Sequence, residues 1–290
     1  MNDEIRQQAI GLYDRFTHEG MDRRHFMARM TAIAGSAAAA ELLVATIAAT
    51  PAAAAVVPAD DERLVTSRGP LGFGSKMAGY VAAARGNAKR GVVLVIHENR
   101  GLNAHIEDVA RRLALAGFIA VAPDELSSQG GTPSDEDKAR DMIGKVDLAQ
   151  AVNDTVALGA ALKKGLKHSN GKLGIVGFCW GGAFVNRFAV AAGKTLDAGV
   201  SYYGPAPDPA EAVKVSAPLT IHLAGLDDRV AKTAFPWIDA LRKADKTVAY
   251  FGYDGVNHAF NNDTSAERYN KAAADLAWER TVRYFRKYLG

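Results

Sequence analysis

The sequence predicts an α/β fold: a mostly parallel central sheet with helices on both faces. Three observations carry this expectation. Short apolar runs of strand length alternate with longer stretches whose apolar residues recur at helical spacing. The run GVVLVIHE, from Gly91 to Glu98, is apolar until its last two residues, as a parallel strand buried on both faces requires. The chain has 290 residues, 48% hydrophobic and 23% charged, enough for one large domain with an ordinary core.

The first 55 residues stand apart. Arg23-Arg24 precede Phe26, and an apolar, alanine-rich stretch then runs from Thr31 to Ala55, interrupted by Glu41. That acid makes it a poor permanent membrane span. A basic region, an apolar region and small residues such as TPAAAA together describe an export signal. The paired arginines resemble the twin-arginine type, which engages machinery that carries folded proteins. The expected organisation is therefore an export segment over 1–55 and a single catalytic domain over 56–290, with a periplasmic or secreted product. An amphipathic N-terminal helix kept in the cytoplasm or on a membrane is the alternative.

From residue 56 the elements follow in order. Tyr80–Ala84 reads as an edge strand and Gly91–Glu98 as a buried one. Asn103 caps a helix with Ile106, Val109, Ala110 and Leu113 on one face, which Gly117 ends. FIAVAP is the next strand. Ser134 and Asp137 form a capping box opening one or two helices. KLGIVGF is a strand, and GAFVNRFAVAAG after it is a helix. AGVSYYG, APLTIHLAG and KTVAYFGY are three further strands. Thr264 and Glu267 begin the last helix, with Ala273, Leu276, Ala277, Tyr284 and Tyr288 at helical spacing.

Composition excludes some functions. Net charge is +3 with no long basic run, so nucleic-acid binding has no electrostatic footprint. A single cysteine forms no internal disulfide.

That cysteine, Cys179, lies in Gly177-Phe178-Cys179-Trp180-Gly181-Gly182, where a strand meets a helix. Gly-x-Cys-x-Gly at such a junction has the form of a nucleophile elbow with cysteine in place of serine. The turn leaves no room for side chains two residues either side, and the helix N-terminus favours a thiolate. An inert buried cysteine is the bland reading of a motif this short. Partners in a fixed order strengthen the other one. Asp227 or Asp228 follows one later strand and His258 follows the next, and nucleophile, acid, histidine is the order of the α/β-hydrolase fold. His97, His105, His168 and His222 have no acid in that order. Glu98 lies in a loop expected to reach over the site, where the backbone N–H groups of Asn99 and Trp180 could form an oxyanion hole. The spacing of His97, Glu98 and His105 is not that of a metal motif, so no metal and no cofactor is expected.

The segments HENRG, APDELSSQGGTP, GFCWGG, SYYG, AGLDDRV and NHAF resemble the dienelactone hydrolase (carboxymethylenebutenolidase) family over roughly residues 65–290. The resemblance implies an α/β-hydrolase fold without a large lid and a Cys179–Asp227–His258 triad. It also implies an auxiliary Glu98 beside the thiol, and it prefers Asp227 to Asp228 through Gly225-Leu226-Asp227-Asp228-Arg229-Val230. The implied substrate is a small ester or lactone. Two arginines that hold a substrate carboxylate in the family are absent, since Ser128 and Asn262 stand at their places. Arg100 and Arg229 are the candidate replacements. A broader esterase or thioesterase, and a non-catalytic binding protein, are the competing readings.

Overall fold

The computed structural model describes residues 3–48 and 55–290. Three helices come first, α1 (Asp3–His18), α2 (Arg23–Ala34) and α3 (Ala37–Ile47). The sheet strands are β1 (Leu64–Pro70), β2 (Ala78–Ala84), β3 (Arg90–Ile96), β4 (Ile119–Pro123), β5 (Ser169–Phe178), β6 (Ala198–Tyr202), β7 (Leu219–Ala224) and β8 (Val248–Tyr253). Between and after them run α4 (Ala104–Leu115), α5 (Glu136–Ile143), α6 (Leu148–Gly165), α7 (Trp180–Ala191), α8 (Asp228–Lys243) and α9 (Lys271–Leu289).

The strand order is β1-β2-β4-β3-β5-β6-β7-β8. From β4 through β8 the pairs are parallel, and β1 and β2 add antiparallel pairs at one side. This is the α/β-hydrolase architecture that the sequence predicts. The near-continuous apolar run of β3 has its reason in the two faces. Val93 and Val95 pack with α4 and α9, while Val92, Leu94 and Ile96 pack with α6, α7 and α8. A strand covered on both sides has no polar face to alternate with.

Several local expectations are corrected. Tyr80–Ala84 belongs to an interior strand, because β1 pairs outside it. Asn103 does cap α4, accepting from the Ile106 N–H, a contribution of about 1 kcal/mol. The cap of α5 is Asp135 rather than Ser134, and Asp147 caps the separate α6. The last helix starts later than expected, at the Asn270 cap, so Thr264 and Glu267 precede it. Its buried face is Ala273, Ala274, Ala277, Thr281, Val282, Phe285 and Leu289, whereas Leu276 is exposed.

The N-terminal helices make a small unit. Leu12, Tyr13, Phe16, Phe26, Met30, Leu43 and Ile47 gather in a cluster of their own, with Phe16 and Phe26 stacked 4.1 Å apart. Asp22, which precedes the arginine pair, caps α2, and Gly35 turns the chain between α2 and α3 by 104°. No single helix among the described residues is long and apolar enough to cross a membrane.

Candidate active site

All parallel strands end at one edge of the sheet, and the residues that follow them converge there. Cys179 follows β5, Tyr203 follows β6, Asp227 follows β7, His258 follows β8, and Glu98 follows β3. Cys179 has φ 56° and ψ −113°, a left-handed conformation unusual for a residue with a side chain. The surroundings over-determine it. A Cβ on Gly177 would run into the Gly181 carbonyl, and one on Gly181 into the Ile96 and His97 carbonyls. The Cys179 N–H is tied to the Tyr202 carbonyl at 3.0 Å. Strain of this kind fixes the sulfur above the first turn of α7, where Trp180 contributes one of the helix's initial N–H groups.

Asp227 and His258 meet directly. His258 Nδ1 is 2.5 Å from Asp227 Oδ2, and both residues are buried. The other Asp227 oxygen accepts from the Val230 N–H and caps α8. Of the two adjacent acids it is thus Asp227 that faces the histidine, and Asp228 is exposed. Burial works against ionisation of Asp227, but the charge and hydrogen bond of His258 outweigh it and hold the carboxyl down at about 2. Burial likewise disfavours a charged His258, yet Cys179 as thiolate and Asp227 push it up to about 10. His258 Nε2 lies within 4.8 Å of the sulfur but makes no hydrogen bond.

Glu98 is turned to two other partners. Its carboxylate accepts from Asn262 Nδ2 at 2.6 Å and from the Tyr203 hydroxyl at 3.5 Å. Asn262, at the place of one missing family arginine, thus anchors the glutamate. Tyr203 also sets its ring edge-on to His258, with centroids 5.0 Å apart. His97 donates from Nδ1 to the Glu98 carbonyl at 2.7 Å and accepts from the Glu125 N–H at Nε2, while His105 faces Asp263. His97, Glu98 and His105 therefore do not converge on one point.

The two arginines proposed from sequence differ. Arg100 lines the cavity at the sulfur, where it contacts Glu136 and the Tyr13 hydroxyl. Arg229 lies outside that cavity, 3.9 Å from Asp227 Oδ2. Two cavity residues had no sequence signal. Arg268 is buried and contacts Asp14 at 3.5 Å, and His18 places Nε2 3.0 Å from Cys179 Sγ. His18 Nε2, Cys179 Sγ and His258 Nε2 are the donor set able to hold a thiophilic cation. A larger cavity of about 580 Å³ lies beside α4 and shares Arg100, but it contains neither Cys179, Asp227 nor His258.

The dienelactone hydrolase family profile matches residues 77–289. The chain belongs to the dienelactone hydrolase family. A relative from Escherichia coli O157:H7, named carboxymethylenebutenolidase, is 33% identical over 216 residues, covering 69% of this chain and 78% of the relative. One of the same name from Methylorubrum extorquens AM1 is 33% identical over 210 residues, covering 68% and 72%. A crystal structure named for a dienelactone hydrolase of Klebsiella pneumoniae superposes with a TM-score of 0.69 at 27% identity, over 78% of this chain and 99% of that one. This hydrolase is accordingly a carboxylic-ester hydrolase on an α/β-hydrolase fold. The family match begins after α1–α3, so the cavity wall those helices supply is an addition to the family's part of the chain.

Proposed function

We propose that the hydrolase cleaves a small ester or lactone through Cys179 as nucleophile. The observation that carries this reading is the Asp227–His258 contact at the same sheet edge as a strained Cys179 elbow. His258, oriented by Asp227, takes the thiol proton from Sγ. The thiolate attacks the acyl carbonyl, and the oxyanion forms against the N–H groups of Asn99 and Trp180. In related sites one such donor is worth about 3 kcal/mol. The tetrahedral intermediate collapses to a thioester as the alcohol or enolate leaves with the proton from His258. Water then adds to the thioester, giving up its proton to His258, and Cys179 is released with the acid product. Glu98, held by Asn262 and Tyr203, lines the cavity at the sulfur.

The loss of both family arginines, at Ser128 and Asn262, favours a wider range of small acyl substrates than the family's carboxylated lactone. A panel of lactones, aryl esters and thioesters tests the reading. Cys179→Ala should abolish turnover, and rapid quench of the parent protein should trap an acyl adduct on Cys179 visible by mass spectrometry. Turnover that survives Cys179→Ala would refute the nucleophile.

We further propose that residues 1–55 direct export, on the strength of Arg23-Arg24 and the apolar stretch to Ala55.

A further inference from the structure

Helix α1 lies across the site. The cavity at the sulfur measures about 20 Å³, room for one water, whereas sites for small organic ligands are larger by at least tenfold. Tyr13, Thr17 and His18 supply its remaining wall. The contacts that hold them there are specific. Asn99 Nδ2 donates to the Thr17 carbonyl at 3.3 Å, Arg100 donates to the Tyr13 hydroxyl, and Arg268 contacts the Asp14 carboxylate at 3.5 Å. At the outer end of the helix Arg6 pairs with Glu267 at 2.6 Å. The blocking helix thus sets a carboxylate on a buried guanidinium within the site.

The helix seats His18 on the sulfur. His18 Nδ1 lies 2.8 Å from the Asp14 carbonyl, which only accepts, so Nδ1 carries the hydrogen. Nε2, on the other side of the ring, stands 3.0 Å from Sγ. His258 Nε2, the base required for attack, is meanwhile buried without a partner.

We propose that residues 3–48 are a built-in inhibitor of the hydrolase, in which α1 fills the place of the substrate and His18 covers the Cys179 sulfur. When α1 leaves, Sγ is open to substrate, with His258 Nε2 beside it to take the thiol proton. The unit is built to leave. Its apolar residues gather in their own cluster, and its named hydrogen bonds and ion pairs to the catalytic domain are polar links that water can replace. Loss of 1–55 on export would open the site only after transport. The inference rests on Cys179 being the nucleophile.

The test uses the full chain and two readouts: alkylation of its single cysteine by iodoacetamide, followed by mass spectrometry, and hydrolysis of p-nitrophenyl acetate. Asp14→Ala/His18→Ala leaves Arg268 unpaired in the docked form and should shift the chain toward the open one. Alkylation and kcat/KM should each rise by at least about 10-fold. Arg6→Ala, at the outer end of α1 and away from the sulfur, should raise both by roughly 2- to 5-fold. Faster alkylation with hydrolysis independent of Cys179 would show that α1 shields the sulfur but would sink the nucleophile, and the inhibitor with it. Hydrolysis that needs Cys179 while neither variant raises either rate would overturn the inhibitor alone. Hydrolysis that falls in His18→Ala, with alkylation unchanged, would make His18 a catalytic group and also overturn it.

Discussion

Cys179 stands between two imidazoles with different partners. His18 covers the sulfur, whereas His258 is backed by Asp227. The difference lies in what each Nδ1 touches: a neutral backbone carbonyl for His18 and a carboxylate for His258. A carboxylate stabilises the imidazolium that forms during attack; a carbonyl fixes the tautomer with little charge to offer. Asp227→Asn should therefore lower kcat on aryl esters by on the order of 10⁴, the loss seen when the acid of a serine triad becomes an amide. A reduction below tenfold would show that His258 does not depend on Asp227.

At the scale of elements, the carboxyl of Glu125 just beyond β4 is buried against α6, where it accepts from the Thr155 hydroxyl at 2.9 Å. Burial pushes it up to about 8, outweighing the help of the Thr155 hydrogen bond. In an unfolded chain the same group titrates near 4.3. Between these values the folded protein binds a proton that the unfolded chain has lost, so stability falls as pH rises. The contribution is fully present below about 4.3 and gone above about 8. Glu125→Gln keeps the shape and removes the titration. Its melting temperature should fall less than the parent's between pH 5.5 and 8.5, as differential scanning fluorimetry can measure. Parallel curves would mean that Glu125 is ionised in the folded chain near neutrality.

At the scale of the whole molecule, α1 covers Cys179 while the arginine pair of α2 stays exposed, with Arg23 paired to Asp137. An exposed ion pair of this kind is individually weak, so freeing the arginine pair for an export machinery costs little. Replacing Arg23 and Arg24 by lysine keeps the charge and removes the guanidinium pair. Under the export proposal it should leave a full-length chain in the cytoplasm, detected by fractionation and immunoblot. Unchanged size and location would reject that route.

Periodicity and turn chemistry were enough to place the parallel sheet and its helices. β3 is apolar because both its faces are covered, and Gly177 and Gly181 are glycines because carbonyls occupy the space of their side chains. Such signals are local, so they survive in a one-dimensional reading. The order of Cys179, Asp227 and His258 was legible for the same reason: each follows a strand, and parallel strands bring their ends to one edge. Where local signals competed, packing decided. Thr264 and Glu267 have the spacing of a cap, yet Ser265 is bound to the Ile47 carbonyl and Arg268, and α9 begins at Asn270. Asn262 could be read only as a lost arginine until its amide was found on Glu98. His18 and Arg268 left no trace in the pattern at all. The sequence determined the sheet, the elbow and the order of its partners, because backbone geometry and apolar faces are written residue by residue. Only the tertiary structure decided what stands on the sulfur, because two separately packed units meet through polar contacts that follow no period.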